Sequence, residues 1–186
     1  MRFEETSLQG VLLITPTIHY DNQCASMETF NRREMSAAGI PSHWAQDNFS
    51  FSKKNVLRGI HYQIVQPQGK LVQVTHGAVF DVAVDLRRSS AHFGKYVAME
   101  LNDQNGSMLW IPPGFGHAFL VLSETAGVAY KATDYYYPAG ERTIVWKDPT
   151  LGIQWPIEGQ PIVSSKDAAG TWFQNAEIYE EPIEWN

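Results

Sequence analysis

One cysteine, Cys24, stands in a chain of 186 residues. No disulfide can close within the chain, and the composition suits a reducing compartment. No apolar run is long enough to span a membrane. The longest, Ala118–Leu122, has five residues, where a spanning helix needs about 20. The opening Met1-Arg2-Phe3-Glu4-Glu5 lacks the apolar stretch of a signal peptide, so the expectation is a cytoplasmic protein with no membrane partner. Basic residues cluster only as the pairs Arg32-Arg33, Lys53-Lys54 and Arg87-Arg88, and the net charge is −6. Tracking a phosphate backbone needs a basic stripe, so no nucleic-acid partner is expected. Repeats, low-complexity tracts and linker-like Gly/Ser or Pro stretches are missing too, which predicts a single domain over residues 1–186.

The chain is 44% hydrophobic, 12% aromatic and 18% charged, enough apolar matter to fill a core and line a pocket. One segment reads as a helix, Ser26 to Ala38. Met27 and Phe30 lie three apart, Met35, Ala37 and Ala38 follow, and Gly39 stands where a helix stops. The rest alternates with a period of two. Ala78, Phe80, Val82, Val84 and Leu86 fall on one face of a strand, with Val79, Asp81, Ala83 and Asp85 on the other. The stretches around Val97–Leu101 and Val128–Asp134 alternate likewise. Turn signals at Gly69, Gly77, Gly94, Asn105-Gly106, Pro112-Pro113-Gly114, Gly127 and Pro138-Ala139-Gly140 match the ~8–12-residue spacing of an all-β sandwich or barrel. The prediction is an antiparallel jelly roll with a minor helical part, whose inward polar residues line a pocket.

The stretch Val56-Leu57-Arg58-Gly59-Ile60-His61-Tyr62-Gln63 carries the first candidate chemistry. In a regular strand Arg58, Ile60 and Tyr62 share one side and Leu57, Gly59, His61 and Gln63 the other. Gly59 leaves room for a ligand to approach the backbone. Taken alone, His61 reads equally as a hydrogen-bonded core histidine, Lys70 as a solvated turn lysine, Tyr130 as a barrel aromatic and Asp167 as a helix cap. Metal binding is the rival reading for a small β-barrel with six histidines. Strands converging on an ion would use a His-x-His pair, but Gln63 follows His61 at that spacing and no other such pair occurs. No metal site is expected. A Gly-x-Ser-x-Gly elbow, a phosphate loop and a dinucleotide fingerprint are likewise missing.

Gln46-Asp47-Asn48 followed by Ser52-Lys53-Lys54-Asn55-Val56-Leu57-Arg58-Gly59-Ile60-His61-Tyr62-Gln63 resembles the dTDP-4-dehydrorhamnose 3,5-epimerase family. So do Gly69-Lys70-Leu71-Val72, Val79–Arg87, Trp110-Ile111-Pro112 with Gly114-Phe115-Gly116-His117, Tyr130-Lys131-Ala132-Thr133, Glu141, and Ser165-Lys166-Asp167-Ala168-Ala169. These motifs cover most of the chain in order. The resemblance implies an all-β, cupin-type jelly roll (a double-stranded β-helix) with a short N-terminal helix and a minor C-terminal helical segment. It also implies a homodimer working without metal or cofactor on a nucleotide-sugar substrate. The implied catalytic set is His61 as base, Asp167 orienting it, Lys70 as a cation beside the developing oxyanion, and Tyr130 as the acid across the ring. A neutral imidazole can accept a proton near pH 7. Implied substrate contacts are Glu28, Gln46, Asp47, Asn48, Arg58, His117, Tyr136, Glu141 and Lys166, with Arg58 meeting phosphate oxygens.

One stretch departs from the family. Asp21 and Glu28 are present, but Gln23-Cys24-Ala25 stands within the stretch where the family carries the Arg-Gly-x-Phe that reaches a neighbouring subunit's substrate. Three readings are therefore carried forward. They are inversion at C3 and C5 of a nucleotide-linked 4-keto-6-deoxyhexose, inversion at a single centre of a related sugar, and a non-catalytic sugar-binding module.

Overall fold

Period-two alternation produces two facing sheets. The computed structural model describes residues 1–181 and 183. The chain runs through β1 (Arg2–Glu5), β2 (Leu12–Thr15), β3 (Ile18–Tyr20), β4 (Ala25–Met27), α1 (Arg32–Ala37), β5 (Gln46–Lys53), β6 (Val56–Gln63) and β7 (Lys70–His76). It continues through β8 (Ala78–Asp85), β9 (Tyr96–Asn102), β10 (Met108–Ile111), β11 (Phe115–Val121), β12 (Thr125–Ala132), β13 (Glu141–Thr143), β14 (Ile162–Val163) and α2 (Ser165–Ala168). One sheet has the order β1-β2-β10-β7-β12-β5. The other has β13-β6-β11-β8-β9, with β14 beside β6. All the pairings between long strands are antiparallel, and apart from β1–β2 and β8–β9 the strands paired in the two large sheets are not consecutive in sequence. This is the expected jelly roll.

The side chains sort by strand parity. Val72, Val74, Leu109 and Val128 from the first sheet meet Val79, Ala83, Phe119 and Val121 from the second in the central core. Outside the second sheet, Ile60, Tyr62, Val82 and Val84 are covered by the C-terminal segment through Ile144, Leu151, Ile153 and Tyr179. Outside the first, Leu71, Met108 and Trp110 pack on Ile14, Met35 and Ile40.

One expectation changes here. The helix spans Arg32–Ala37, not Ser26–Ala38. Ala25–Met27 is instead a strand paired with Ile18–Tyr20, and the Asn31 side chain accepts from the Arg33 and Glu34 amides, starting the helix there. Gly39, at φ +77°, ends it as predicted. The two carboxylates of β8, Asp81 and Asp85, are fully buried, Asp81 against His117 and Asp85 in a bidentate pair with Arg87.

Candidate active site

The site begins with an irregularity in β6. Against β11, His117 pairs with His61 but Phe119 pairs with Arg58, so β6 advances three residues while β11 advances two. This extra residue is a β-bulge, and it turns Arg58 and His61 into the same cavity, where strict alternation had placed them on opposite faces. Gly59 makes it feasible. Its φ is +114°, and a Cβ there would lie 2.6 Å from the His117 carbonyl oxygen. The space beside Gly59 is thus taken by β11 and not, as expected, left for a ligand.

That bulge also builds the His–Asp pair. His61 Nε2 lies 2.5 Å from Asp167 Oδ1. Asp167 is carried by α2, whose cap, Ser164, accepts from the Asp167 amide. Asp167 is therefore the third helical residue, and the cap is Ser164, three residues before it. Burial raises the Asp167 pKa, but bonds with His61, Ser164 and the Gly59 amide outweigh it and hold the carboxyl below its ordinary value. It is an anion facing an imidazole, able to orient the ring and stabilise it once protonated.

Across the cavity, the first sheet supplies a cation and a phenol. Tyr130 pairs with Val72 and Ala132 with Lys70, which sets Tyr130 and Lys70 on one inward face; the Lys70 Nζ is 5.9 Å from the Tyr130 ring centre. Burial pushes the Lys70 ammonium down to about 8, with Glu141 and Asp81 working against that shift and Lys166 adding to it. Burial also raises the Tyr130 phenol, with Arg58 opposing and Glu141 assisting, so the phenol keeps its proton at neutral pH.

These walls enclose a 360 Å³ cavity lined by Gln46, Asn48, Arg58, His61, Tyr62, Gln63, Gln68, Lys70, Tyr130, Tyr136, Glu141 and Lys166, within the usual size range for a small-molecule site. At its rim Glu141 accepts from the Tyr136 hydroxyl (2.6 Å) and pairs with Lys166 at 2.5 Å. Burial raises the Glu141 pKa, but these two partners outweigh it and lower it overall. Arg58 lies 5.9 Å from the Phe119 ring centre. Among the described residues, no group of three or more His, Cys, Asp or Glu side chains is disposed to hold a metal ion.

Three expected contacts are not brought to this cavity. Asp47, between Gln46 and Asn48 on β5, points to the opposite face and pairs with Lys131 at 2.9 Å, because consecutive strand residues cannot share a side. His117 is buried outside the cavity lining, its Nε2 3.1 and 2.9 Å from the two Asp81 oxygens. Glu28 is exposed just beyond β4 and accepts from Asn31 Nδ2. Conversely, Gln63 and Gln68 line the cavity although they drew no expectation. The signal for Gln63 was a polar residue continuing the inward parity of His61.

Against known proteins, the model of the family described as dTDP-4-dehydrorhamnose 3,5-epimerase matches residues 5–175. A dTDP-4-dehydrorhamnose 3,5-epimerase from Pseudomonas aeruginosa is 46% identical over 180 residues, covering 96% of this chain and 99% of its own. The crystal structure of the dTDP-6-deoxy-D-glucose-3,5-epimerase of Legionella pneumophila in complex with dTDP-4-keto-L-rhamnose superposes with a TM-score of 0.94 at 42% identity, covering 98% of this chain and 99% of that one. A 3'-monoepimerase from Streptomyces bikiniensis in complex with dTDP-quinovose is more distant, with a TM-score of 0.86 and 33% identity over 91% of this chain and 86% of that one. With a family model spanning nearly all of it and a near-full-length relative at this identity, the chain belongs to the dTDP-4-dehydrorhamnose 3,5-epimerase family.

Proposed function

We propose that this protein is an isomerase that epimerises C3 and C5 of a dTDP-linked 4-keto-6-deoxyhexose, converting dTDP-4-dehydro-6-deoxy-D-glucose to dTDP-4-dehydro-L-rhamnose. The observation that carries the proposal is the division of the site between two walls. The His61–Asp167 pair comes from the second sheet and its α2 flank, while Lys70 and Tyr130 come from the first. A sugar ring held between them has a base on one face and an acid on the other.

The C4 ketone acidifies the hydrogens on C3 and C5. His61 takes one as a proton, and the electron pair moves through the carbon–carbon bond onto the C4 oxygen as an enolate. The Asp167 carboxylate stabilises the imidazolium that results. Lys70 places its ammonium beside the enolate oxygen, where a buried charge is worth far more than in water. Tyr130 returns a proton to the opposite face, which inverts the centre. His61 then gives its proton to solvent and Tyr130 regains one from it, and repeating the cycle at the second carbon completes the reaction. No redox cofactor is needed, since the substrate brings its own carbonyl.

Arg58 and Lys166 supply cations for the diphosphate, so a protein of net charge −6 still takes an anionic ligand. A homodimer is part of the same reading. Phe49 and Phe51 are more than three-fifths exposed on strand β5, an apolar face that a second copy would cover. A cytoplasmic location follows from the substrate, a nucleotide-activated sugar.

Incubation with dTDP-4-dehydro-6-deoxy-D-glucose in deuterated water tests the reading by NMR. Deuterium at both C3 and C5 is the expected result. Exchange at one carbon alone would instead make this a single-centre enzyme, and none would leave a binding module.

A further inference from the structure

The eight residues between β12 and β13, Thr133 to Gly140, form a loop whose tyrosines are exposed: Tyr135 by 64%, Tyr136 by 52% and Tyr137 by 41%. Loop backbone of this kind ordinarily bonds to water. Here three glutamine side chains from three other segments take its polar groups. Gln68 Nε2 donates to the Asp134 carbonyl at 2.8 Å. Gln63 Nε2 donates to the Tyr135 carbonyl at 3.2 Å, and Gln63 Oε1 accepts from the Tyr137 amide at 2.8 Å. Gln46 Oε1 accepts from the Tyr136 amide. Gln63 is only 4% exposed, and its Nε2 also donates to the Gln66 carbonyl at 2.7 Å. Its backbone lies directly opposite Glu141 in the β6–β13 register.

The tyrosine held in the middle is the one that donates to Glu141, and Glu141 in turn pairs with Lys166. We propose that Gln63, assisted by Gln46 and Gln68, is a positioning residue: a carboxamide clamp that fixes the Tyr135–Tyr137 turn so that Tyr136 and Glu141 meet the bound nucleotide sugar preorganised. A carboxamide suits the task because it offers a donor and an acceptor on one planar group and adds no charge. The cavity already holds Arg58, Lys70, Lys166 and Glu141. Preorganisation removes the ordering cost that a free surface tyrosine would impose on binding. The inference rests on the epimerase reading above and deepens it.

The test is steady-state kinetics of Gln63→Glu, which keeps the size and the acceptor but removes the donor. The one bond to the turn that is lost, to the Tyr135 carbonyl, corresponds to about a threefold rise in KM, with kcat within about twofold, because the clamp touches no reacting carbon. The same substitution in a Tyr136→Ala background should then do nothing further, since no side chain remains to position. An equal rise in KM in both backgrounds, or a fall in kcat at unchanged KM, overturns the clamp. Should Gln63→Glu fail to fold, Gln68→Met removes one bond at an accessible turn. It is expected to raise KM about threefold, and no rise overturns the proposal. Wild-type protein that leaves the 4-keto sugar unconverted would defeat the epimerase reading instead, and that outcome is separate from the others.

Discussion

At Lys70, burial and function pull in opposite directions. Its pKa falls from 10.5 to about 8 on burial, with Glu141 and Asp81 restraining the fall. The ammonium is the form that stabilises an enolate, so kcat should hold through neutral pH and decline as pH rises through about 8. Lys70→Arg, whose charge persists above pH 12, should remove that alkaline limb; a limb unchanged in the variant would place it on another group. The stability consequence has the opposite sign. A lysine whose folded pKa lies below its unfolded one costs the fold stability while it is held charged, and the cost disappears between about pH 8 and 10.5. Lys70→Met should therefore raise Tm by a few degrees at pH 7 while abolishing turnover, as calorimetry and exchange NMR would show. His61→Ala should lower deuterium exchange at the sugar carbons by about 10²–10⁴, the scale of general-base removal; near-wild-type exchange in the folded variant would rule His61 out as the base.

The decisive element is the bulged strand β6. Gly59→Ala would drive a Cβ to within 2.5 Å of the Ala118 side chain and 2.6 Å of the His117 carbonyl, at a φ of +114°. Relieving either contact pushes β6 off β11 and moves Arg58 and His61 together. We expect a loss of about 2–4 kcal/mol in urea unfolding together with turnover reduced by more than about tenfold. A stable variant with full activity would show the bulge to be dispensable. The bulge also marks the limit of pattern reading. Period-two alternation located β8, β9 and β12 from the chain alone, because β8 and β9 pair regularly along their length and β12 does so from Val128 onward. On β6 the same rule set Arg58 and His61 on opposite faces, since an inserted residue depends on which strand lies alongside. Helix periodicity failed for a related reason. Met27 and Phe30 are three apart, yet Met27 pairs with Ile18 and Phe30 packs edge-on to Trp44.

At the scale of the whole molecule, the β3–β4 hairpin stands outside the cavity of its own chain. Asp21 closes its turn by accepting from the Gln23 and Cys24 amides at 2.8 Å each, and none of these residues lines the site. In a homodimer the hairpin would serve the neighbouring cavity. There Gln23→Arg should restore a charge-assisted contact to the diphosphate. Such bonds contribute ~1.5–3 kcal/mol, which lowers KM by about one to two decades and leaves kcat unchanged. The effect requires the dimer, so light scattering on the same samples is the companion measurement. An unchanged KM in a proven dimer would show that Gln23 does not reach the phosphates.

The sequence alone determined the strand content of the jelly roll and the alternating faces of β8 and β12, because periodicity is a property of the chain itself, and its family resemblance supplied the residues proposed as acid, base and cation. Only the tertiary structure decided which of them share a cavity. It turned Arg58 toward His61 through a bulge, sent Asp47 outward and closed His117 onto Asp81. It also bound the Tyr135–Tyr137 turn with glutamines from three separate segments. Each of those outcomes depends on which strand lies beside which, and hydrogen-bond partners distant in sequence leave no local pattern to read.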